Sequence, residues 1–185
     1  SSDEKIGVVG LGYVGLPLSL LFARSGVSVL GLDVDEHKVA AINAGESYLK
    51  HFSSEDIRQQ RDSGRLEAST DFSQAKEVEA ILICVPTPLD EHREPDLSFI
   101  LDTARSIAPH LSKGMLVSLE STTYPGTTED ELREVLESGS GLRAGVDFHL
   151  AYSPEREDPG RTDASVKTII KIGGGFTERC GELAE

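Results

Sequence analysis

The sequence predicts an α/β fold, a doubly wound and mainly parallel sheet with helices on both faces, and three observations carry this expectation. Short apolar runs rich in β-branched residues recur without clean polar alternation, as strands covered on both faces require. Stretches with apolar residues at helical spacing lie between them. The first apolar run passes directly through a glycine-rich turn into the first such stretch, which makes a strand-turn-helix unit.

The main strands are expected at Lys5 to Val9, Ser28 to Asp33, Ala80 to Val85, Met115 to Glu120 and Phe148 to Tyr152. Val14 to Ser25 has helical spacing, and so does Asp35 to Asn43, with Gly45 beyond it as a stop. Ser53 to Ser63 reads as an additional helix, Leu66 to Ser69 as a short strand, and Asp71 to Glu77 as another helix. Leu97 to Ala108 forms a helix behind Asp96 as its N-cap. Thr128 and Glu131 make a capping box that opens a helix over Glu129 to Ser138, ending before Gly139. Thr168 to Ile172, Gly173-Gly174-Gly175 and the residues from Phe176 read as a last strand, a turn and a helix that reaches Glu185, so more protein is expected to follow. Strands and helices alternating in this way give the Rossmann-type arrangement, whose ligands bind at the carboxyl ends of the strands near the topological switch point.

A chain of 185 residues is long enough for one well-filled domain, burying around 70% of its unfolded surface, and residues 1–185 are expected to form one. No apolar run approaches the ~20 residues of a membrane helix, and Ser1 to Lys5 is polar, so a soluble, cytoplasmic protein without a membrane partner is expected. The net charge of −14 opposes binding to nucleic acid, where Lys and Arg must neutralise phosphates. Any anionic ligand must therefore be held by backbone N–H groups and a few placed cations.

Cys84 and Cys180 are read as free thiols, Cys84 as a core residue inside an apolar run and Cys180 on a helix; neither has a His or basic cluster to activate it. His37, His51, His92, His110 and His149 show no metal-ligand spacing, and no metal is expected.

Gly10-Leu11-Gly12-Tyr13-Val14-Gly15 is a GxGxxG directly after a strand and at the start of a helix, the setting in which this motif binds a dinucleotide. Gly10 permits the tight turn, Gly12 lets the backbone approach a pyrophosphate, and Gly15 lets the helix sit close on the strand. Asp33 falls about 20 residues beyond the glycines, where a carboxylate accepts from the adenosine ribose hydroxyls and repels a 2′-phosphate. NAD is therefore expected rather than NADP. Asp35 is read as the cap of the next helix, and Lys38, on its first turns, faces either the ribose or solvent.

Two further strand ends carry unusual sequence, Cys84-Val85-Pro86-Thr87-Pro88-Leu89-Asp90 and Glu120-Ser121-Thr122-Thr123-Tyr124-Pro125-Gly126-Thr127. Together with Gly10 to Gly15, Glu94-Pro95-Asp96-Leu97-Ser98 and Tyr152-Ser153-Pro154-Glu155-Arg156-Glu157-Asp158-Pro159-Gly160, they resemble the UDP-glucose/GDP-mannose dehydrogenase family over nearly the whole chain. The Ser-Thr-Thr-Tyr-Pro-Gly-Thr and Tyr-Ser-Pro-Glu-Arg forms resemble the branch that oxidises UDP-N-acetylhexosamines, UDP-N-acetylglucosamine above all. UDP-glucose enzymes usually carry a longer Pro-Glu-Phe-Leu-Arg-Glu segment where this chain has Pro154-Glu155-Arg156-Glu157.

The resemblance implies oxidation of a sugar C6 alcohol to a carboxylate in two steps, with two NAD⁺ reduced and a cysteine holding thiohemiacetal and thioester intermediates. That cysteine, a linker helix and the UDP-sugar-binding domain are implied to lie outside these residues, which leaves this piece inactive alone and implies a homodimer or larger assembly for the whole protein. Thr122 matches the threonine near the nicotinamide and the catalytic water, and Glu155 the proposed general acid/base. Val85, Pro86, Thr87 and Ser121 match cofactor-contacting positions, and Glu155 and Arg156 positions near the substrate. From the residues alone, Thr122 reads equally as a strand residue, Glu155 as a loop acid, and Arg156 as either a pyrophosphate grip or a partner of Glu157. A UDP-glucose 6-dehydrogenase and a non-catalytic NAD-sensing module remain the alternatives.

Overall fold

The computed structural model describes residues 5–49, 53–86, 91–93, 96–120 and 127–152, the side chains of 127–129 and 152 excepted. The strands are β1 (Lys5–Val9), β2 (Ser28–Leu32), β3 (Leu66–Ser69), β4 (Ala80–Ile83), β5 (Leu116–Leu119) and β6 (His149–Tyr152). The helices are α1 (Gly15–Arg24), α2 (Glu36–Ala44), α3 (Ser54–Asp62), α4 (Ser98–Ile107) and α5 (Thr127–Ser140). One sheet joins the strands in the order β3-β2-β1-β4-β5-β6, every neighbouring pair parallel. This is the doubly wound α/β architecture that the alternating pattern predicts.

The side chains of each strand alternate between two cores. On one face Ile6, Val8, Val29 and Leu82 pack with Leu16, Leu20 and Phe22 of α1, Ile42 of α2 and Ile57 of α3. On the other, Val9, Leu30, Leu32, Ile81 and Ile83 pack with Ile100, Ala104 and Ile107 of α4 and with Leu132 and Leu136 of α5. The chain thus winds outward from β1 to β3 under one helical layer, returns to lie beside β1 as β4, and winds the other way under the second layer. Right-handed crossovers allow no other placement of the helices. The strand order therefore reverses between β1 and β4, whose following segments lead to helices on opposite faces of the sheet.

Several boundaries differ from expectation, each for a local reason. β2 stops at Leu32 and β5 at Leu119, which leaves Asp33 and Glu120 past the ladder with their side chains available to the sheet edge. The helix expected over Asp71 to Glu77 is a 3₁₀ helix, Phe72–Glu77, capped by the Asp71 carboxylate on the Ser73 N–H. The expected cap of α4 is displaced: Leu97 occupies the N-cap, while the Asp96 carboxylate still accepts from the Ser98 N–H at 2.9 Å.

Helix α5 corrects two expectations. It starts at Thr127, so Thr128 lies within it rather than at its cap, and it runs through Gly139 to Ser140. Gly139 is a packing residue, because a Cβ there would lie 2.5 Å from Cβ of Ala108. The stop is Gly141, with φ +74° and its N–H on the Glu137 carbonyl. The expected strand at Thr168 to Ile172, the glycine turn and helix after it, and Cys180 lie outside the described residues. Cys84 is buried beside β1 and α1 as a core residue. No described helix is long and apolar enough to cross a membrane.

Candidate functional site

Past the carboxyl ends of β1 and β4, a cleft of about 790 Å³ opens at the edge of the sheet. Its floor is the turn between β1 and α1, and each glycine of that turn has a separate physical reason. Gly10 adopts φ +96°, and a Cβ on it would meet the Cys84 carbonyl group at 2.9 Å, so both conformation and the neighbouring strand exclude a side chain. Its N–H donates to the Leu32 carbonyl at 2.8 Å, which ties the turn to β2. Gly15 brings α1 down on the turn, because a Cβ there would lie 1.6 Å from the Gly10 carbonyl oxygen.

Gly12 differs from both. A Cβ on it would meet nothing within 4 Å, so its backbone faces open space at the head of α1. The first N–H groups of a helix have no intrahelical acceptor and attract anions. A bare backbone at a helix N-terminus fits a pyrophosphate, and this is the cradle a dinucleotide needs.

Asp33 closes the next side of the cleft, immediately after β2 and 9% exposed. Its Oδ2 accepts the Leu11 N–H at 2.7 Å and its Oδ1 the Asp35 N–H at 2.8 Å. The carboxylate therefore holds the glycine turn and the start of α2 together. Two oxygens offer about four acceptor sites, so two remain for ribose hydroxyls. Asp35 caps α2 as expected, accepting from the N–H groups of His37 and Lys38 at 2.9 and 3.4 Å.

Lys38 is half-buried and lines the cleft. Among the described lining residues it is the single cation, against Asp33, Asp35, Asp102 and Glu120. Lys38→Ala is expected to weaken NAD⁺ binding about threefold, as for a solvent-screened contact, and the loss should shrink in high salt. Titration calorimetry at two salt concentrations measures it; no change at either would remove Lys38 from the site.

Of the other sequence-predicted residues, Leu11, Tyr13, Val14, Val85 and Pro86 meet in the same cleft. Leu11 brings only its backbone, since its side chain is fully buried, whereas Tyr13 and Val14 stand exposed at the rim. Gly15 lies behind the lining. Thr87, Ser121, Thr122, Glu155 and Arg156 lie outside the described residues.

The structure adds lining residues that sequence reasoning missed. Phe99, Asp102, Thr103 and Ser106 form one stripe of α4, at spacings i, i+3, i+4 and i+7, opposite Val34 and Phe72. That periodicity was legible, but the stripe is a mixed polar one beside the apolar stripe that packs the core, so it reads as solvent-facing. Glu120 is 3% exposed, accepts a hydrogen bond from the Ser118 hydroxyl at 2.7 Å, and lines the cleft from the end of β5. Placed as the last residue of a strand, it carried no signal of its own.

Comparison with known proteins agrees with this geometry. The chain is 38% identical over 184 residues to UDP-N-acetyl-D-glucosamine 6-dehydrogenase of Pseudomonas aeruginosa, spanning 99% of this chain and 42% of that protein. It is 37% identical over 182 residues to UDP-N-acetyl-D-mannosamine dehydrogenase of Pyrococcus horikoshii, spanning 98% and 43%. The crystal structure of NDP-N-acetyl-D-galactosaminuronic acid dehydrogenase from Methanosarcina mazei Go1 superposes with a TM-score of 0.77 at 41% identity, covering 86% of this chain and 36% of that one. The chain thus spans about two fifths of the length of these relatives. The family model for the NAD binding domain of UDP-glucose/GDP-mannose dehydrogenases matches residues 4–185. With a bare glycine cradle at the switch point, a buried carboxylate at the end of β2 and this match, the chain belongs to the UDP-glucose/GDP-mannose dehydrogenase family, as its NAD binding domain.

Proposed function

We propose that these residues form a single domain supplying the NAD site of an enzyme that oxidises the C6 hydroxyl of a UDP-N-acetylhexosamine, UDP-N-acetylglucosamine in first place, to the uronic acid. The observation that carries the reading is the cleft itself, with an open backbone at Gly12 and a preorganised Asp33. Bound NAD⁺ supplies a hydride acceptor for each of the two oxidations. The helix N-terminus at Gly12 to Gly15 would hold the pyrophosphate, Asp33 the adenosine ribose, and Lys38 would offset phosphate charge.

The substrate reading is supported by the motifs at Ser121 to Thr127 and Tyr152 to Arg156 and by relatives whose names specify N-acetylated sugars. Thr87 and Ser121 would contact the cofactor. Thr122 would position the attacking water and pass a proton through its hydroxyl, Glu155 would act as general acid/base, and Arg156 would face the substrate. A linker helix and a UDP-sugar-binding domain bearing the cysteine nucleophile would complete the site in the whole protein, working in the cytoplasm as a homodimer or larger assembly.

The whole protein, incubated with NAD⁺ and a panel of UDP-sugars, should form two NADH per UDP-N-acetylglucosamine consumed. Turnover confined to UDP-glucose would overturn the substrate, and no turnover of any nucleotide sugar would overturn the activity.

A further inference from the structure

The glycine turn touches one side chain that none of the roles above uses. Tyr48 lies between α2 and α3, half-buried against the first core, and its hydroxyl donates a short hydrogen bond to the Leu11 carbonyl. The loop that carries it is braced: the Ser47 N–H donates to the Ser54 hydroxyl at 2.9 Å, and the Ser47 hydroxyl donates to the Leu49 carbonyl at 3.0 Å. The ring is thus held at its base as well as at its tip.

Leu11 is consequently pinned on three sides. Its N–H is held by Asp33 at 2.7 Å, its carbonyl by Tyr48, and its buried side chain sits against Gly31, where a Cβ would come within 2.9 Å of Leu11 Cδ2. The Leu11 carbonyl and the Gly12 N–H belong to one planar trans peptide, so they point in opposite directions. Whatever fixes the carbonyl also fixes the direction of the Gly12 N–H. A hydroxyl serves this purpose only while it keeps its proton, and here burial first, then the negative charges of Asp33 and Asp35, raise the Tyr48 pKa above that of an ordinary phenol.

We infer that Tyr48 is a positioning residue of the cofactor site, its hydroxyl holding the Leu11–Gly12 peptide so that the Gly12 N–H meets a pyrophosphate oxygen. It touches neither ligand nor reacting atoms, and it acts through the peptide. The inference rests on the glycine turn carrying the pyrophosphate, and the choice of ligands separates the two.

The test is Tyr48→Phe, which keeps the packed ring and removes the donor, titrated with NAD⁺, ADP and adenosine against the parent protein. NAD⁺ and ADP should each bind about tenfold more weakly, the effect of one misaligned hydrogen bond to a charged oxygen, while adenosine binding stays unchanged. A role in general stability would move all three ligands together, and that result, or unchanged NAD⁺ affinity, would overturn the inference. Ser47→Ala keeps the Tyr48 hydroxyl but loosens the loop that carries it, and it should give a smaller loss with the same dependence on phosphate; an equal loss for adenosine would count against the idea. If the parent protein binds adenosine and ADP equally well, the pyrophosphate reading of the turn fails instead.

Discussion

Gly15→Ala is expected to abolish measurable NAD⁺ binding. The added Cβ would lie 1.6 Å from the Gly10 carbonyl oxygen, well inside van der Waals contact, and its neighbour is backbone rather than a side chain that could rotate away. Either α1 lifts from β1 or the turn at Gly10 opens. Overpacking a well-filled site typically costs 1–3 kcal/mol, and a clash with backbone belongs at the upper end of about that range. Lifting the helix also withdraws N–H groups from the cleft, and each misaligned hydrogen bond to a charged phosphate loses about 1.5–3 kcal/mol, so two of them lower affinity by at least roughly a hundredfold. Titration with NAD⁺, alongside a thermal melt to show that the variant is folded, measures this. A folded variant binding within threefold of the parent would contradict the packing argument.

Asp33→Ala is expected to destabilise the fold and erase the preference for NAD⁺ together. The substitution strands two backbone donors, the Leu11 N–H in a buried setting and the Asp35 N–H at the start of α2. Losing two charge-assisted bonds costs about 3–6 kcal/mol. For a chain of this length that corresponds to a melting temperature lower by roughly 6–24 °C. Removing the carboxylate also removes the repulsion of a 2′-phosphate, so the NADP⁺-to-NAD⁺ ratio of dissociation constants should fall by about tenfold or more. Asp33→Asn keeps one acceptor oxygen and should lie between the two proteins in stability. A thermal melt and paired titrations with both dinucleotides decide the matter, and intact discrimination in the alanine variant would assign selectivity to another group, with Asp35 the nearest.

Much of the site could be read in the chain because local constraints write themselves into residue type. A positive φ at Gly10 and a close approach at Gly15 both demand glycine at fixed spacing, and a carboxylate at the end of the second strand follows the same pattern. What escaped notice depends on partners distant in sequence. Tyr48 lies 37 residues from the carbonyl it holds, in a segment whose composition says only that a loop joins two helices. Gly31 looks like an ordinary strand glycine until Leu11 is seen pressed against it. Gly139 reads as a helix stop by propensity, and its close approach to Ala108 overrides that propensity.

By itself, then, the sequence determined the fold class, the two-directional winding of a parallel sheet and the location of a dinucleotide cradle, because period, propensity and glycine spacing are local properties. Tertiary structure alone decided which neighbour each glycine accommodates, that Asp33 braces the glycine turn with one oxygen while the other holds the start of α2, and that α4 turns a mixed stripe into the cleft. These are contacts across long stretches of chain, made when two helical layers close on one sheet.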